Sequence, residues 1–140
     1  MTADPLQEHL SSIEALLAQA APTDDEPIRV LRTSQDFWDD EDYQAWHAAE
    51  ADMQSHLAAL TTALTPRWGT PLTVDLFAYL QAGFDGEEPP APLDELCRQA
   101  TTLHAWPLPD GRRLGLTIAQ WDKELPMQLL AAVGDLHHLK

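Results

Sequence analysis

The stretch LHAWPLPDGRRLGLTIAQW, Leu103 to Trp121, decides the fold. Two apolar arms flank Pro109-Asp110-Gly111, and Asp-Gly tolerates the positive φ that a tight turn needs. The stretch therefore reads as a β-hairpin. Its second arm alternates, with Leu114, Leu116 and Ile118 inward and Gly115, Thr117 and Ala119 outward. Asp122-Lys123-Glu124 follows as a further turn. Beyond it, residues 126–133 fit either a third strand or a helix that starts at Pro126 and ends at Gly134. The turn spacing favours the strand. Upstream, Leu72 to Leu80 also alternates. Leu72, Val74, Leu76, Ala78 and Leu80 share one face, so the sequence predicts a half-buried strand there.

Helical periodicity takes over toward the N-terminus. Leu6, Leu10, Ile13, Leu16 and Leu17 recur at spacings that predict an amphipathic helix over about 4–20. Asp4 suits its cap and Pro5 its first turn. Ile28 to Thr33 reads as a short strand. Trp46, Ala49, Met53, Leu57, Leu60 and Leu64 then form a long stripe, predicting a helix over about 38–64. Thr65 precedes Pro66, which biases it away from helix and closes the element. A short helix is expected over about 93–101, after a loop rich in Gly and Pro. The elements predict an α+β fold in which residues 1–140 form a single domain. Its sheet is largely antiparallel, of about 4–5 strands with a C-terminal hairpin or meander, and helices cover one face.

The net charge of −15 is placed unevenly: residues 1–56 carry thirteen acids against only Arg29 and Arg32. Five of the seven residues from Asp36 to Asp42 are acidic, with Phe37, Trp38, Tyr43 and Trp46 among and beside them. Such a surface repels nucleic acid and anionic membrane and attracts a basic partner. No apolar run is long enough to span a bilayer. The first residues include Asp4 and Glu8 and do not read as a signal peptide. One cysteine, Cys97, excludes an internal disulfide and suggests a reducing, cytoplasmic setting.

Motifs for chemistry are weak. His47 with Glu50, and Asp52 with His56, have helical spacings that could share a metal ion, but two ligands do not make a site. Asp52 and His56 read more simply as an exposed charge-supported pair. Cys97 reads as a small buried residue, and no Gly-x-Ser-x-Gly elbow or Gly-rich phosphate loop is present. Trp121 reads as a strand-end tryptophan packed on the core; the rival reading presents it beside Arg112 and Arg113. No catalytic residue, metal or cofactor is assigned.

The 36–46 stretch is the best candidate. Acids at a helix start are ordinary, because they meet the positive end of the helix dipole. Capping needs one or two, however, and five in seven residues repel one another. The excess points to an interface built on Asp36, Trp38, Asp39, Asp40, Asp42 and Tyr43. The expected function is a small acidic protein-binding domain. Its concrete form is an immunity- or antitoxin-like inhibitor that covers the basic surface of a partner protein such as a toxin or nuclease. The alternatives are a homodimer or other homo-oligomeric accessory subunit without chemistry of its own, and a small enzyme with an unrecognised pocket.

Overall fold

The computed structural model describes residues 5–19, 28–39, 43–86, 93–109, 111–122 and 124–134. The hairpin forms as the sequence predicts. Its arms are β3 (Thr102–Pro107) and β4 (Arg113–Ala119), paired antiparallel with Ala105 opposite Gly115. Leu108 donates its N–H to the Arg112 carbonyl at 2.8 Å, and Gly111 takes φ 90° in the turn. The ambiguous segment is a strand, β5 (Gln128–Gly134), and Ile28–Thr33 is β1. With β2 (Leu72–Asp75) they make one five-stranded antiparallel sheet in the order β1-β5-β4-β3-β2. The helices are α1 (Pro5–Gln19), α2 (Gln44–Trp68), α3 (Leu76–Phe84) and α4 (Leu93–Gln99), giving an α+β domain.

Both faces of the sheet are covered, which corrects the expectation of helices on one face. Leu114, Leu116, Leu129, Ala131, Val133 and Trp106 bury one face with Ile13 and Leu16 of α1 and Met53, Leu57, Leu60 and Leu64 of α2. The opposite side chains of the same strands, among them Ala119, Leu130 and Ala132, meet Leu76 of α3 and Leu96 and Cys97 of α4. The supposed outward residues Gly115, Thr117 and Ala119 are therefore buried. Their small size fits this. A Cβ on Gly115 would stand 2.7 Å from the Leu103 Cδ1.

Three helices differ in their bounds from the sequence reading. Residues 72–80 are not one strand, since the chain turns helical at Leu76. The Asp75 side chain caps the helix by accepting from the Phe77 N–H at 3.0 Å. Leu76, Tyr79 and Leu80, at helical spacing, then pack on the second core. α2 begins at Gln44 rather than near residue 38, and it carries no acid in its first turn. It also runs through Pro66 to Trp68, ending at Gly69, which takes φ 89° and donates to the Thr65 carbonyl. Packing of Trp68 against the first core offsets the local bias of Thr65-Pro66. Finally, α4 stops at Gln99, slightly short of the expected end.

The register sets the ends of the sheet. Gln128 faces both Ala119 of β4 and Thr33 of β1, so the segments after β1 and β4 leave from the same end. A bulge between Val30 and Arg32 puts two residues of β1 against one of β5. Leu31 packs on the first core and Arg32 reaches α2, so both serve that face.

Substituting Gly115→Ala should destabilise the domain by about 1–3 kcal/mol through overpacking against Leu103. Urea denaturation measures this, and trimming the neighbour in the pair Gly115→Ala, Leu103→Ala should cost less than the sum of the two single changes. Strict additivity would contradict the close approach.

Candidate functional site

The segment after β1 is tied down before it reaches α2. Ser34 exchanges two bonds with Met127, donating its N–H to the Met127 carbonyl and accepting the Met127 N–H on Oγ, each at 2.8 Å. The Phe37 N–H donates to the Glu124 carbonyl at 2.9 Å, and the Phe37 ring is buried in the first core. At the start of α2, Trp46 donates from Nε1 to Gln120 Oε1 at 2.9 Å, while Gln120 Nε2 donates to the Leu125 carbonyl. The described residues 34–39, 43–46, 120–122 and 124–127 thus form one bonded unit at the Gln128 end of the sheet.

The outward side chains of this unit include several of the candidates. Asp36 and Asp39 are exposed, Trp38 is 62% exposed and Tyr43 is 51% exposed. Asp36 and Asp39 border an open recess of about 270 Å³ with Gln35 and Ala45. Asp40 and Asp42 lie outside the described residues. Tyr43 is the N-cap of α2, holds φ 56° and makes no side-chain cap bond. A tyrosine in the left-handed region is strained, and here that backbone turn directs the chain into α2. Asp36 and Asp39 precede the helix instead of occupying its first turn, which removes them from ordinary dipole stabilisation.

One member was misread from the sequence. Trp121 is 52% exposed and does not pack as a core residue. Nor does it stand beside Arg112 and Arg113. Arg113 pairs with Gly134 at the far end of β4, whereas Trp121 follows the end that faces Gln128. The signal was available, because β4 alternation stops at Ala119 and Trp121 falls in the turn next to Asp122. Its neighbours Asp122 and Glu124 are exposed and extend the acidic character of the unit.

The other chemical candidates resolve differently. Cys97 is buried in the second core, as the sequence reading holds. Asp52 and His56 do come together, at 3.4 Å, but in company the sequence reading omitted. Arg32 Nε donates to Asp52 Oδ2 at 2.7 Å, and the other nitrogen of His56 faces His9 Nε2 at 3.0 Å. His9 falls on the α1 stripe between Leu6 and Ile13, and that position is the signal that it is buried. No group of three or more His, Cys, Asp or Glu side chains among the described residues is arranged to hold a metal ion. No helix among them is long and apolar enough to cross a membrane.

Comparison with known proteins finds no matching family model, no matching curated protein and no matching solved structure.

The geometry separates the aromatic residues into two roles that stability measurements can distinguish. Phe37→Ala should cost about 3–5 kcal/mol, as for a buried ring. Trp38→Ala and Trp121→Ala should each change stability by no more than about 0.5 kcal/mol. A large loss from either tryptophan in urea denaturation would place it in the core.

Proposed function

We propose that this chain is an acidic protein-binding domain whose Gln128-end surface covers a basic patch on a partner protein. The observation that carries the reading is the exposure of Trp38, Tyr43 and Trp121 on a hydrogen-bonded unit that also presents Asp36 and Asp39. Large aromatics together with carboxylates are the composition of an interface centre and its charged rim. Holding them on a bonded scaffold lowers the ordering cost of association. Asp40 and Asp42 add charge to the same segment of sequence.

The mechanism is occlusion. The aromatic rings desolvate the centre of the contact, and the carboxylates pair with Lys and Arg around it. Complementary charge accelerates encounter at low salt and weakens as salt rises. A toxin or nuclease, whose own phosphate-binding surface is basic, is the class of target this chemistry suits. That makes the chain immunity- or antitoxin-like in action, in the cytoplasmic setting that a lone cysteine suggests.

The test is a low-salt pull-down from the native host. Wild type is compared with a variant in which Asp36, Asp39, Asp40 and Asp42 become Asn, and with Trp38→Ala combined with Trp121→Ala. A basic protein should be retained by wild type, released by salt, and lost with both variants. Equal retention by all baits would overturn the reading. If that came with a molecular mass that rises with concentration, a self-associating accessory subunit would take its place, with the exposed Leu72, Phe77 and Phe84 of β2 and α3 as the contact.

A further inference from the structure

A chain of polar side chains joins three elements, α1, α2 and β1. His9 comes from α1, His56 and Asp52 from α2, and Arg32 from the bulged part of β1. His9 is 5% exposed and is one of the few polar side chains buried among the described residues. The two imidazoles meet edge to face, with ring centroids 5.0 Å apart, and both line an open cleft of about 190 Å³ between the two helices.

The order of the chain fixes where its protons are. Asp52 is ionised, held so by Arg32 at 2.7 Å, and faces His56 Nε2. A lone pair there would repel the carboxylate, so Nε2 carries the hydrogen and Nδ1 of neutral His56 is an acceptor. His9 Nε2 must then donate to it, leaving the lone pair of His9 on Nδ1. A first added proton goes to His9 Nδ1 and leaves the N–H···N bond in place. A second has only His56 Nδ1 to bind, and it sets N–H against N–H between two cations.

We propose that the His9–His56 contact is a proton-operated latch, closed while at most one of the rings is charged and opened by the second proton, which frees α1 from α2 and β1. The surroundings of His9 oppose a charge on its ring. Among the described residues, His56 and Arg32 oppose a charge on His9, and only Glu8 of its own helix favours one. Burial is the largest effect and acts in the same direction as His56 and Arg32, holding the His9 pKa below its ordinary 6.5. The unfolded chain therefore binds more protons as pH falls below 6.5. Stability from this group is complete above that value and is lost as pH falls through the folded-state pKa. Partial burial tends to raise the pKa of Asp52, but the hydrogen bond and charge of Arg32, then His56, outweigh it and hold it below 3.8. Arg32 thus favours the ionised form of the Asp52 carboxylate that faces His56.

Hydrogen exchange followed by mass spectrometry tests this, with rates corrected for the intrinsic effect of pH. Protection of α1 in the wild type should fall about tenfold or more, relative to β4, between about pH 7.5 and about pH 4.5. His9→Gln should abolish the change, because an amide offers both a donor and an acceptor and takes no proton. Should that variant fail to fold, the imidazole nitrogen resonances of the wild type decide. Loss of α1 protection must then follow protonation of the second ring. Equal loosening in wild type and His9→Gln, loosening in step with the carboxylates, or no loosening at all would overturn the latch.

Discussion

The pairing of β4 with β5, buried on both faces, is the constraint on which the rest of the structure depends. Seven residue pairs run from Arg113–Gly134 to Ala119–Gln128, with β3 and β1 on the outer edges of this pair. The inward residues on one face are mostly large, Leu114, Leu116, Leu129 and Val133 with Ala131 among them, and they receive α1 and α2. On the other face Gly115, Ala119 and Ala132 are small and let α3 and α4 come close to the sheet. Burial of apolar area is the main driving force, at about 25 cal/mol per Å² removed from water. The ladder also satisfies the backbone groups that this burial takes from solvent.

That same ladder positions the acidic face. Antiparallel register makes β1 end and β5 begin at the same level, and β4 ends there too. The charged segment after β1 is therefore adjacent to the turn between β4 and β5 by topology alone. Ser34, Phe37 and Trp46 then fasten it with hydrogen bonds to Met127, Glu124 and Gln120. Phe37 and Trp46 turn inward, and Trp38 and Tyr43 remain outside. A run of acids in a sequence specifies little by itself. Here its described members Asp36 and Asp39 lie on a segment fastened through Ser34 and Phe37.

The parts of this that sequence makes legible are those with a single dominant period. The hairpin, the stripe of α2 and the stripe of α1 each follow one repeat, and each element forms, although α2 starts and ends later than its stripe suggests. Residues 72–80 satisfy two periods at once, and the Asp75 cap, a single side chain, tips them into helix. Covering of the second face was hidden because Gly115, Thr117 and Ala119 look polar or small enough for solvent. Only the tertiary partners α3 and α4 make them core. At the candidate site, the acids and Trp38 were legible from composition. The exposure of Trp121 was legible from its place in the turn after Ala119, but its place beside the segment after β1 was not, since that follows from the β4–β5 and β1–β5 registers, and His9 needs its partner from another helix to acquire meaning.

The proposed docking surface is the Gln128 end of the sheet. Its most direct measurement is the hydrogen-exchange footprint of the protein in complex with the basic protein it captures. Protection confined to residues 34–46 and 120–127 is the predicted result. Protection centred elsewhere, on α3 with its exposed Phe77 and Phe84 for example, with the 34–46 segment unchanged, would contradict it.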